Sequence, residues 1–100
     1  MFISIDSEKK TALLEEPNVL TEFHIQSPIN DEDYVASVIG NGSEAAGDAH
    51  VWISIEWISQ NVTNVSSDWG ERFSGMVQYA MGKGWVSDPG THLKAHIEDD

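Results

Sequence analysis

The sequence predicts an α+β fold, a single two-layer domain in which a mixed or antiparallel sheet of about five strands is packed by two main helices. Three observations lead there. Runs with period-two alternation of apolar residues stand near the start, the middle and the end of the chain, as strands require. One long stretch, Trp69, Phe73, Met76, Val77 and Ala80, places its apolar residues on a single helical stripe. The chain has 100 residues, 40% of them hydrophobic, which suffices for one domain with its own core and is too short for two. Strands gather early and alternate with helices later, a pattern that suits an α+β layer better than a doubly wound sheet.

Met1 to Asp6 alternates, and the polar stretch Ser7-Glu8-Lys9-Lys10 turns the chain into a second run, Thr11 to Glu16. Pro17-Asn18 breaks that run and Val19 to Gln26 begins a third, so the first quarter reads as a three-stranded meander. Ser27, Asn30 and the acids that follow them open a short helix, about Asp31 to Ile39, with Tyr34, Val35, Val38 and Ile39 as its buried stripe and Gly40 as its stop. Gly40 to Gly47 reads as a mobile surface loop, by composition the best lid candidate.

His50 to Trp57 alternates as a central strand, with Val51, Ile53, Ile55 and Trp57 on one side. Residues 57–62 fit either a longer strand or one or two helical turns. Asn61-Val62-Thr63 and Asn64-Val65-Ser66 both fit the glycosylation pattern and read, without a secretory signal, as a polar connection. Ser66, Ser67 or Asp68 caps the main helix, and Gly82 and Gly84 stop it. Trp85-Val86 is extended, Asp88-Pro89-Gly90 is a tight turn, and Thr91 to Glu98 is the last strand, with Asp99-Asp100 expected to fray.

The wording of this end, Trp69-x3-Phe73-x2-Met76, then Lys83-Gly84-Trp85-Val86 and Gly90-Thr91 to Glu98, resembles a group of short uncharacterised bacterial proteins. The resemblance covers roughly the last third of the chain and implies no function.

Composition narrows function mainly by exclusion. Seventeen Asp and Glu stand against five Lys and Arg, a formal net charge of −12. Such a field repels phosphate backbones and anionic lipid, which argues against nucleic-acid and membrane partners and favours a basic protein partner, a metal ion or plain solubility. The absence of cysteine removes disulfides, thiolate nucleophiles and Cys-ligated metal. Neither a signal-peptide pattern nor an apolar span occurs, so the expected location is cytoplasmic.

Candidate functional residues are His24, His50, His92 and His96, with Trp52 and Trp85 as a ligand or partner surface. His92 and His96 share a strand face but stand roughly 13 Å apart along it, too far to hold one ion alone. His24 with Glu22, His50 with Glu56 or Ser54, and His96 with Glu98 or His92 are the acid–base pairs that spacing allows. No phosphate loop, calcium loop or nucleophile elbow is present, and no cofactor is implied. Three functions fit: a non-catalytic binding or assembly protein that self-associates through exposed Trp and a sheet edge, an inhibitor or immunity-type protein that caps a basic partner, and a small enzyme or ligand-binding protein with a His-lined sheet face.

Overall fold

The computed structural model describes residues 1–99, so the expectation for Asp100 lies outside the described residues. Strands β1 (Phe2–Asp6), β2 (Thr11–Glu15) and β3 (His24–Ser27) precede helix α1 (Glu32–Ile39). Strands β4 (Glu44–Gly47) and β5 (His50–Ser54), helices α2 (Ile55–Asn61) and α3 (Trp69–Gly82), and strand β6 (His92–Asp99) follow. The fold is α+β, with one mixed sheet in the order β2-β1-β3-β6-β5-β4. It has six strands rather than about five, and three helices rather than two.

Alternation along the strands sorts the side chains. Ile3, Ile5, Ile25, Val51, Ile53, Leu93, Ala95 and Ile97 are all at most 3% exposed and form the inner sheet face. Onto it pack Val35, Ala36 and Ile39 of α1, Trp57 and Ile58 of α2, and Trp69, Phe73 and Ala80 of α3, in one core. The helical stripe read from the sequence is therefore the packed one, with Met76 and Val77 partly buried at its border.

Asp31 caps α1, its carboxylate accepting the Tyr34 N–H at 3.0 Å. Ser54 ends the central strand early, because its hydroxyl oxygen accepts the Trp57 N–H at 3.2 Å and starts α2. Ile55 and Trp57 thus leave the strand for a helix, and residues 57–61 are helical.

The first quarter is not a meander. β1 pairs antiparallel with β2 but parallel with β3, so it lies between them. Of the third run only its end, from His24, is strand, and it continues to Ser27, because the preceding carbonyls bind elsewhere. Pro17 O accepts the Trp69 indole N–H at 2.6 Å, Asn18 O accepts from Arg72 at 2.7 Å, and Val19 O and Glu22 O accept from the Met1 amine. Segment 16–23 is a strap joining α3 to the start of β1. Burial holds the Met1 amine below its ordinary pKa of 8.0, against the opposing charges of Glu22 and Glu16.

The expected mobile loop contains a strand instead, since Glu44–Gly47 forms the antiparallel edge beside β5, with an irregularity between Ala45 and Gly47. Asp48 and Ala49 join the two strands with φ of 52° and 60°, the left-handed pair that a tight hairpin requires. Alanine in that region costs about 1–2 kcal/mol. Ala49→Gly is therefore expected to stabilise the fold by about 0.5–1 kcal/mol, after the greater unfolded-chain entropy of glycine is subtracted. A urea midpoint that rises at unchanged slope supports this, and a midpoint that falls refutes it.

Asp99 is paired with Ser27 rather than frayed. No helix of the described residues is long and apolar enough to cross a membrane.

Candidate functional site

The helices pack on the inner face, and among the described residues the other face of the sheet carries none. Every outward residue of β1, β3, β5 and β6 retains some exposure. His24, His50, Trp52, His92 and His96 all belong to this face by alternation, with their inner neighbours Ile25, Val51, Ile53, Leu93, Ala95 and Ile97 buried. The antiparallel bridge of Val86 with Leu93 puts Trp85, 46% exposed, opposite Lys94 at the border of the same face. Five of the six candidates therefore share one side of the sheet, and Trp85 stands at its border with its ring against Tyr79 of α3.

Register decides which of them meet. Phe2 pairs with His24, His24 with His96, and His96 with His50, so four strands contribute one transverse row. The rings in that row split into two pairs. His24 stacks on Phe2 with centroids 5.2 Å apart and planes at 12°, whereas His96 lies 4.9 Å from His50 at 60°. Three aligned Cα positions thus do not yield three converging nitrogens, and among the described residues no group of three or more His, Asp or Glu could hold a metal ion.

Hydrogen bonds sort the histidines further. His92 Nε2–H donates to the Gly42 carbonyl at 3.1 Å, and its Nδ1 accepts from the Thr91 hydroxyl at 2.7 Å, which leaves the neutral ring no free nitrogen. His92 is a pin between β6 and the turn before β4. His50 Nδ1–H donates to Asp48 O at 2.8 Å and keeps Nε2 free. His24 Nε2 accepts from the Gln26 amide at 3.4 Å, with Nδ1 facing the Glu22 carboxylate at 3.8 Å.

Of the acid–base pairs that spacing allowed, the structure brings together only His24 with Glu22. Glu56 belongs to α2 and Ser54 is committed to its cap, so neither is set to serve His50.

A second transverse row runs Trp85, Lys94, Trp52, Glu44. The Lys94 ammonium lies 5.2 Å from the Trp52 ring centroid, within cation–π range. Beside Trp52 the face sinks into an open depression of about 450 Å³, walled by Glu44, Asp88, Pro89, Thr91 and His92. Lys94 is not among its walls, so Trp52 meets this lysine outside the depression.

No family model matches the chain, and no curated protein or solved structure was found to be similar to it. The chemistry of the face itself must carry the functional argument.

Sequence reasoning missed Glu44 and Asp88. Glu44 lay in a stretch whose composition signalled a loop, and only its pairing opposite Trp52 reveals the role. Asp88 was legible solely as part of a turn, with nothing local to say that the turn folds toward Trp52. Charge balance is the remaining property of the site. Among the described residues the one ion pair within 4.0 Å is Glu22 with His24, so no carboxylate there is neutralised by lysine or arginine.

Proposed function

We propose that the protein is a small non-catalytic binding protein that receives a basic protein partner on its helix-free sheet face. The observation that carries this reading is the depression beside Trp52, where an indole wall and the carboxylates of Glu44 and Asp88 flank a space open to solvent. An arginine or lysine of a partner fits that chemistry, since its planar or compact cation can lie on the indole and pair with either carboxylate. The net charge of −12 adds long-range attraction for a cationic surface and speeds encounter. This is the inhibitor or immunity type of function, in which the acidic protein caps a basic one.

The test uses octa-arginine as probe and amide and indole resonances as readout. At about 20 mM NaCl the shifts should cluster on β4, β5, the 88–91 turn and the Trp52 indole, and affinity should fall at least about tenfold by about 500 mM. The double variant Glu44→Gln, Asp88→Asn should bind roughly two- to tenfold more weakly. Shifts scattered over the whole surface, or a double variant that binds as the parent does, would refute the site.

Self-association is the second reading, favoured by one observation. β2 is an edge strand of the sheet and carries Leu13 at 62% exposure, a surface that another strand could extend. Like charge opposes it, so a dimer of this kind should strengthen with salt, whereas capture of a basic partner weakens. A monomer by sedimentation at high concentration and high salt would dismiss it. For the ligand-binding alternative the available groups are His50 Nε2 and the exposed His96.

A further inference from the structure

We propose a second binding site, distinct from the Trp52 depression, that takes a quaternary ammonium group. Its origin lies in the sheet. β6 pairs with β5 from His92 to His96, but on its other side it meets first the Val86 bridge and then β3, which begins opposite His96. Between those two neighbours the sheet is notched. A cavity of about 350 Å³ opens there against α3, a size that suits a small ligand.

Three aromatic rings from different elements line the notch: Phe23 of the strap, Tyr79 of α3 and Trp85 after it. The buried Ala80 and Leu93 complete its apolar lining, and Glu22, whose carboxylate lies 3.8 Å from His24, is the one acidic residue among its walls. The Tyr79 and Trp85 rings stand 6.4 Å apart with planes at 63°, so they form adjoining walls rather than a closed stack. Both remain well exposed, at 64% and 46%, although aromatic surface is costly to leave in water.

Charge selects the occupant. An apolar lining favours a ligand whose surface sheds water readily, and a carboxylate within a chain of net charge −12 disfavours an anion. A tetraalkylated ammonium satisfies both conditions, because its methyl groups pack on carbon while ring faces and the carboxylate balance its charge. Two lysines lie near these rings. Lys83 places its ammonium 5.5 Å from the Tyr79 centroid, within cation–π range of that ring. Lys94 also lines the notch, but its ammonium lies over Trp52, which does not. Glu22 faces His24 at 3.8 Å and also feels the charge of the Met1 amine, and its side chain is 66% exposed.

Choline and its uncharged carbon isostere 3,3-dimethylbutan-1-ol give the decisive comparison, because they differ in charge and hardly in shape. Choline should bind the unaltered protein about tenfold more tightly than the isostere, with shifts centred on the Trp85 indole and the 20–23 strap. Trp85→Leu and Tyr79→Leu should each weaken choline about tenfold, and Glu22→Gln should reduce its advantage while leaving the isostere unchanged. These side chains are largely exposed, and circular dichroism verifies that each variant folds. Equal affinity for the two probes would reduce the notch to a plain apolar cavity and overturn the proposal, as would the absence of saturable choline binding. The comparison of probes needs no variant and does not involve the Trp52 depression, so it stands or fails independently of the basic-partner reading.

Discussion

Trp69→Ala is expected to remove about 3–5 kcal/mol of folding stability, the largest single-residue loss proposed for this protein. Trp69 is 6% exposed, stacks on Phe73 with centroids 4.7 Å apart, and donates its indole N–H to Pro17 O at 2.6 Å. Its loss opens a cavity at the first turn of α3 and frees the strap that α3 holds. Domains of this size have about 5–15 kcal/mol in total, so the variant should be partly unfolded at ambient temperature. Trp69→Phe separates the contributions, since it keeps an aromatic ring beside Phe73 and deletes the hydrogen bond, at a cost of about 1–3 kcal/mol. Urea denaturation measures both. An alanine variant within about 1 kcal/mol of the parent would show that α3 is not the anchor its stripe implies.

Glu32→Ala should cost about 2–3 kcal/mol and act on the opposite edge of the molecule. The two carboxylate oxygens of Glu32 accept the backbone N–H groups of Gly47 and Ala49, at 2.7 and 2.9 Å, and so clamp α1 onto the β4–β5 hairpin. Charge-assisted hydrogen bonds are worth about 1.5–3 kcal/mol each when protected, and partial exposure here favours the lower end of that range. The acid also faces the positive end of α1, a smaller favourable contribution. Because the clamp holds Asp48 and Ala49 in their left-handed conformation, its loss should be local. Amide exchange at Gly47 and Ala49 should accelerate while β1 and β3 keep their protection, and unchanged exchange at those two amides would refute the assignment. Glu32→Gln retains one good acceptor and should lose about half as much.

Much of the architecture is legible in the chain because it depends on local periodicity. The alternation in Phe2–Asp6, His24–Ser27, His50–Ser54 and His92–Asp99 identifies both strands and faces, and it places His24, His50, Trp52, His92 and His96 on the side away from the core. The stripe from Trp69 to Ala80 likewise follows from helix geometry, whereas α1 is capped by Asp31 rather than by Ser27 or Asn30.

The misreadings share one cause, competition for backbone hydrogen bonds by groups distant in sequence. Val19 to Glu22 has a strand-like pattern, but the Met1 amine takes two of its carbonyls, while Trp69 and Arg72 take those just before it. Glu44–Gly47 has a loop-like composition, yet β5 pairs with it. At Ser54 a side-chain oxygen takes over a backbone donor and turns a strand into a helix, a contest that alternation alone cannot resolve.

By itself, then, the sequence determined the α+β class, the inward and outward sides of most strands, the packed stripe of α3 and the acidic surface. Only the tertiary structure decided the parallel placement of β1, β3 and β6, the division of the histidine row into two pairs, the pinning of His92, and the meeting of Glu44 and Asp88 around Trp52. The physical reason is that a side chain's direction follows from the geometry of its own few residues, whereas register and neighbours depend on which distant segment supplies the partner for each backbone group.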